Sequence, residues 1–412
     1  MIPPGREVRL PPTGDLLGPD TGPGVSAEAG GTDASGRWWR RRLYRDVLLV
    51  LLLSRVFIFA VAWAGHRLVA PGTYLAASDR SDSFPDLLAR FDGVWYLSIV
   101  RAGYEDSASK ATNIVFFPLY PLLVRTVAAT GMDAATAGLV LSNLFLVVGV
   151  LLLARLMDLE LGVGPARRAA VYLLVFPTSF FFSAVYTESL FLMLTVAAFL
   201  AARRGRWWLA GLAGGLAAAT RLPGVALVVP LAFEYLQQAR FRVRRVHLDG
   251  LALAVIPVGL VAFAWYCASS FGDPLAFLHN QMLWRGRPTR AVPGLGLLIG
   301  VAKAVLRPDP SIHPFPLSLV YVAAAVLAVG CIVLSFFVLR PAYGIWGLVV
   351  LSISTSHGRI DSLPRYVLAL LPMFAVLGLV GHRRGAHWVI VSVSVCLLAV
   401  FTVMFANGYK MF

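Results

Sequence analysis

Four charged side chains stand where long apolar runs end: Asp92, Glu188, Arg221 and Arg365. A charge near the centre of a membrane helix costs roughly 2.5–3.5 kcal/mol on insertion scales, so ions at such positions need a chemical reason. Asp92 lies in Arg90-Phe91-Asp92-Gly93-Val94-Trp95-Tyr96, after the first membrane-length run. Aromatic neighbours exclude part of the water, which lets a carboxylate act as a general base toward a hydroxyl at hydrogen-bonding distance. A helix N-cap, or an interfacial salt bridge with Arg90, would account for the same acid without any chemistry.

Arg221 and Arg365 fall at helix ends, where a guanidinium can grip a phosphate bidentately at a lipid–water boundary, or simply snorkel as a structural arginine. Glu188 opens a helix; it either complements the helix dipole or receives a sugar hydroxyl. Arg55 falls inside the first apolar run and is predicted to pair with an internal acid. His279, Gln281 and Trp284 belong to a second polar segment, as substrate contacts or as solvated loop residues.

The seven histidines are dispersed without an H-E-x-x-H pattern, and Cys267, Cys331 and Cys396 sit singly in apolar runs. No protein-built metal site and no disulfide framework is predicted. No P-loop or dinucleotide fingerprint occurs, and no cytoplasmic segment is long enough to fold around a nucleotide. An activated sugar used by this chain would therefore be carried on a lipid.

The elements that must position these residues are membrane helices. Hydrophobic residues make up 58% of the 412 and charged residues 14%, a composition far from the soluble average. The net charge of +15, from 36 basic and 21 acidic residues, is carried by short arginine clusters between apolar runs. Such clusters mark a cytoplasmic side and speak against nucleic-acid binding. Only Lys110, Lys303 and Lys410 are lysines, an arginine bias typical of a high-GC bacterial genome.

With the clusters placed inside, crossings are expected at about 46–65, 136–156, 168–185, 188–203, 206–220, 222–239, 250–269, 316–338, 342–356, 365–381 and 387–405, eleven in all. The piece at 113–130, interrupted by Pro118, Pro121 and Arg125, is assigned to the interface or to a partly inserted hairpin. Residues 1–36 read as a disordered cytoplasmic tail and 37–412 as the membrane domain, with external segments at 66–135 and 271–315. This topology sends Asp92, Glu188, Arg221 and Arg365 to one external face, although they were not used to set it.

The run from Arg90 to Tyr96, with Gly103-Tyr104 and Phe116-Phe117-Pro118-Leu119-Tyr120-Pro121, resembles the PIG-V family of glycosylphosphatidylinositol second mannosyltransferases and their bacterial relatives. Phe176-Pro177-Thr178-Ser179-Phe180, Tyr186-Thr187-Glu188-Ser189-Leu190, Thr220-Arg221 and Pro364-Arg365-Tyr366 are similar too, so the likeness spans roughly 40–405 through the order of weak motifs.

The resemblance implies an all-α, polytopic GT-C glycosyltransferase with an acid in its first external loop and a polyprenyl-phosphate sugar as donor. Asp92 matches the catalytic position, and Phe91 stands where many relatives carry Trp. Arg221 and Arg365 are expected near the donor phosphate, with Arg90, Trp95, Tyr96, Tyr104, Glu188 and Tyr366 around the substrate. The acceptor would be a lipid, glycan or protein hydroxyl at the outer face of a bacterial plasma membrane. No cofactor is required by this chemistry, although a divalent cation could screen the phosphate. A flippase or transporter of lipid-linked sugars, or a non-catalytic scaffold, is the rival reading. It is disfavoured by the absent internal repeat and by polar motifs gathered on one face.

Overall fold

The computed structural model describes residues 29–72, 83–107, 109–242, 244, 247–285, 295–306, 315–356 and 358–409, apart from the side chains of 29–39, 285 and 315–316. Residues 1–28 of the expected tail lie outside the described residues, as do 286–294 and 307–314 of the second polar segment. The first described helix runs from Ala29 to Leu68, so residues 29–36 are helical and continuous with it. Propagating an existing helix is far less costly than starting one.

In chain order the α-helices are α1 (Ala29–Leu68), α2 (Phe84–Leu87), α3 (Asp92–Ala102), α4 (Leu119–Ala128), α5 (Ala134–Leu161), α6 (Val163–Val175), α7 (Glu188–Arg203), α8 (Trp207–Ala218) and α9 (Val228–Gln238). They continue as α10 (Val258–Phe271), α11 (Ala276–Arg285), α12 (Leu295–Leu306), α13 (Phe315–Val338), α14 (Pro341–Thr355), α15 (Leu363–Tyr366), α16 (Leu371–Val380) and α17 (Arg384–Ala406). Among the described residues there is no strand.

Among the described residues four helices are long and apolar enough to cross a membrane: Arg40–Leu68, Ala134–Leu161, Leu317–Val338 and Arg384–Ala406. Two bent pairs raise the number to six: Leu248–Val255 with Val258–Phe271, at 41°, and Leu363–Ala369 with Leu371–Val380, at 84°. This is fewer continuous spans than the eleven expected. Length explains part of the difference, since 188–203, 206–220 and 342–356 hold helices of 16, 12 and 15 residues, and proline explains more, with Pro177 just past the end of α6 and Pro257 and Pro372 at the two bends. Proline removes an intrahelical donor and clashes with the preceding turn. The stretch at 113–130 holds a 3₁₀ turn at Asn113–Val115 and the ten-residue helix α4.

The longest described internal helix, α5, is the spine. Its N-terminus is capped by Asp133, whose carboxylate accepts from Thr136 N at 3.0 Å. α6 and α7 pack along it; α8 lies on α7, α16 on α6, and α17 on α1. α8 can meet the 3₁₀ segment Leu248–Val255 closely only because position 211 is glycine. A Cβ there would lie 2.1 Å from Ala252 O.

A buried ion cluster ties helices together at the C-terminal end of α7. Glu160 accepts from Arg203 Nε and from Tyr343 Oη at 3.0 Å. Glu234, 1% exposed, faces Arg203 Nη1 at 3.5 Å and Arg340 Nε at 3.4 Å. Four helices, α5, α7, α9 and α14 with its N-cap Arg340, are thereby joined at the end opposite Glu188.

Candidate active site

Arg55 shows how the site is anchored. Its five N–H groups are met by Ser54 Oγ at 3.3 Å, Ser179 O at 3.0 Å, Ser183 Oγ at 3.1 Å, Leu174 O at 2.9 Å and Ser179 Oγ at 2.7 Å. The expected acidic partner is replaced by carbonyls and hydroxyls, which satisfy a buried guanidinium without a second buried charge. Through these bonds α1 fixes the end of α6 and the 3₁₀ turn Ser179–Phe182, from which Tyr186-Thr187-Glu188 follows. Thr178 Oγ1 donates to Pro364 O at 2.6 Å, fastening the same turn to the one that carries Arg365.

Asp92 is the first residue of α3, and the N-cap position is Phe91, whose side chain makes no capping bond. Its carboxylate pairs with Arg365, Nη1 to Oδ2 at 2.5 Å, and not with Arg90. In place of the side-chain cap and of the Arg90 pair, the acid makes an ion pair across 273 residues of sequence. Arg365 Nε also donates to Glu188 Oε1, and Arg221 Nη1 reaches the same oxygen at 2.7 Å. The result is a continuous chain, Asp92, Arg365, Glu188, Arg221, alternating in sign. Glu188 is 4% exposed, and its Oε2 has no hydrogen-bond partner among the described residues.

Aromatic rings support the cations. The Arg365 guanidinium lies 4.7 Å from the Tyr186 ring centroid and 5.3 Å from that of Phe181. Arg221 lies 5.6 Å from Tyr366 and 5.7 Å from Phe191. Arg221 sits in a tight turn that folds back on α8. A Cβ at Gly224 would fall 2.2 Å from Ala217 O, so only glycine lets the turn close.

These groups line a cavity of about 540 Å³. Of the nine residues expected at the site, Asp92, Tyr96, Glu188, Arg221, Arg365 and Tyr366 line it. Arg90, Trp95 and Tyr104 are not among its lining residues. The buried Arg90 directs Nε to Ala406 O at 3.3 Å, toward the end of α17. Trp95 packs edge-on against Trp284 at 5.0 Å, and Tyr104 donates to Phe116 O at 2.7 Å. Both therefore stand behind wall residues.

Gln281 and Trp284 of the second polar segment reach the cavity, whereas His279 does not. His279 pairs with Asp273 at 2.6 Å on the exposed side, and this bond holds the Asp273 carboxyl below the ordinary carboxylate range. Sequence reasoning passed over Arg359 and Asp361, which line the cavity and pair at 2.8 Å. Their signal was the polar break 354–362 between two apolar runs. Burial pushes the Tyr96 hydroxyl well above its usual range, so it stays a neutral donor. It lies 3.3 Å from Thr187 Oγ1. Among the described residues no group of three or more His, Cys, Asp or Glu side chains is placed to hold a metal ion.

The family model of the PIG-V mannosyltransferases matches residues 42–271. The chain belongs to this family. The matched part of this PIG-V protein carries Asp92, Glu188 and Arg221; Arg365 lies beyond it and joins them through the fold. Among curated proteins, GPI alpha-1,6-mannosyltransferase 2 of Rattus norvegicus is 30% identical over 213 residues, 45% of this chain and 42% of the relative. The Mus musculus protein of the same name is 31% identical over 166 residues, 37% and 32% of the two chains. The alignments thus span less than half the length of these relatives.

Among solved structures, ArnT from Cupriavidus metallidurans bound to undecaprenyl phosphate aligns at 14% identity and a TM-score of 0.49, covering 89% of this chain and 76% of that one. The Archaeoglobus fulgidus oligosaccharyltransferase tethered to an acceptor peptide aligns at 14% identity and 0.48, covering 88% and 55%.

Proposed function

We propose that this PIG-V family protein is a GT-C-type glycosyltransferase moving mannose from polyprenyl-phosphate-mannose to a hydroxyl of a lipid, glycan or protein acceptor. The transfer takes place at the extracytoplasmic face and inverts the anomeric carbon. The observation that carries the reading is the meeting of Asp92, Glu188, Arg221 and Arg365 in one cavity of an apolar helical chain.

The acceptor hydroxyl gives its proton to the Asp92 carboxylate as its oxygen attacks the anomeric carbon. The bond to the phosphate oxygen breaks on the opposite side, and polyprenyl phosphate leaves with the electron pair. Arg221 and Arg365 meet the charge that grows on the departing phosphate, with N–H groups not used on the acids. Because Arg365 touches Asp92, base and leaving group are held within one side chain's reach, which supplies the orientation a two-substrate reaction needs. Glu188 aligns both cations through Oε1 and leaves Oε2 for a sugar hydroxyl. Tyr96 and Tyr366 complete the polar wall.

Phosphate is a stable leaving group, so a metal is not obligatory; a divalent ion would only screen its charge. Activity that survives chelation with EDTA is the expected result. The reading as a whole is tested by incubating purified protein with a membrane lipid extract and either synthetic polyprenyl-phosphate-[¹⁴C]mannose or GDP-[¹⁴C]mannose. Label is expected in an acceptor only from the lipid donor. Equal or exclusive use of the nucleotide sugar would contradict the reading.

A further inference from the structure

Phe91, immediately before the candidate base, has φ 55° and ψ −116°, a region where a side chain is strained and which persists only when its surroundings enforce it. One side chain supplies that enforcement. Tyr186, 1% exposed, donates its hydroxyl to Arg90 O at 2.9 Å and accepts from Asp92 N at 3.1 Å. The peptide groups on either side of the strained residue are thus closed onto a single oxygen. Next to it, Val185 N donates to Leu88 O at 2.9 Å, so residues 185–186 are sewn to the turn 88–92 at both ends. The same ring lies beneath the Arg365 guanidinium, which holds the Asp92 carboxylate. Backbone and carboxylate of Asp92 are therefore both referenced to Tyr186.

We propose that Tyr186 is the positioning residue of the site: its hydroxyl locks the 90–92 turn and its ring seats Arg365, so that Asp92 faces the acceptor. The proposal rests on Asp92 acting as the base. A mere core aromatic would need only the ring, and the hydroxyl would be dispensable.

Tyr186→Phe keeps the ring, its packing and its contact with Arg365, and removes only the two hydrogen bonds. In the mannose-transfer assay, kcat is expected to fall about 10-fold to 100-fold with the donor KM within about twofold, the signature of a displaced reacting group rather than lost binding. Hydrogen exchange of the peptide covering residues 90–96 is expected to quicken. Adding Phe91→Gly to Tyr186→Phe should recover part of kcat, because glycine adopts positive φ without steric cost.

Wild-type kcat or wild-type exchange in Tyr186→Phe would overturn the proposal, whatever the double variant does. An inactive Asp92→Asn beside an unaffected Tyr186→Phe would overturn the positioning role alone. Retained turnover in Asp92→Asn would overturn the base assignment and the positioning role together.

Discussion

At the scale of single residues the site is governed by charge alternation. Asp92, Arg365, Glu188 and Arg221 each neutralise a neighbour, so none is an isolated ion in a poorly solvated setting, the arrangement that buried charge demands. Arg365 is the pivot, because its fork donates to two acids through different nitrogens. Lysine keeps the charge but offers a single point of attachment. Arg365→Lys is accordingly expected to lower kcat/KM by about 10²-fold to 10³-fold, the scale of losing one oriented electrostatic donor. Steady-state transfer kinetics check this, and a loss under threefold would show that charge alone suffices. The four ions were legible in the sequence because apolar surroundings make any charge conspicuous. Arg55's partners were not, since backbone carbonyls can be supplied by any residue type and leave no mark on composition. Tyr186 lies in the motif that ends in Glu188-Ser189-Leu190, but its role depends on the dihedral angle of Phe91, which no pattern of residue types encodes.

At the scale of elements, caps and clasps set the helices that carry these residues. Asp133 caps α5, and the hydrogen bond from Thr136 N holds its carboxyl below the ordinary value. Asp133→Ala is expected to cost about 1 kcal/mol, read as a lower Tm in detergent. Because the folded-state value is depressed, the cap contributes fully above the unfolded carboxylate value near ~3.9 and is lost as pH falls through the folded one. The Tm difference between Asp133→Ala and wild type should therefore shrink on moving from pH 7 to pH 3. At the far end of α7, Arg203 is shared by Glu160 and Glu234. Arg203→Ala would leave the largely buried Glu160 with the Tyr343 hydroxyl in place of a cation and Glu234 with Arg340, an effect of up to about 3–5 kcal/mol. A fall in Tm no larger than that of a surface control such as Arg206→Ala would contradict the clasp. Helix existence was readable here and helix length was not: hydropathy sees 365–381 as one run, whereas the chain bends by 84° between Leu363–Ala369 and Leu371–Val380, with Pro372 in the first turn of the second piece.

At the scale of the whole molecule the bundle has two polar ends joined by apolar packing. Helix α7 begins with Glu188 in the cavity and ends with Arg203 in the clasp, a rise of about 24 Å for sixteen residues. α14 runs between the same two places, from the Arg340 cap to the cavity wall at Val350 and Ile353. A frame pinned at one end lets the other hold an acid and two arginines in register although they arrive from positions 92, 221 and 365. The account's central claim is that this convergence is catalytic and that Asp92 takes the acceptor proton. Its most direct test is single-turnover transfer from polyprenyl-phosphate-mannose by wild type and Asp92→Asn, with equal Tm showing that both are folded. A loss of about 10²-fold to 10⁴-fold in the asparagine variant is predicted, the usual contribution of a general base. Turnover at the wild-type rate would contradict the account.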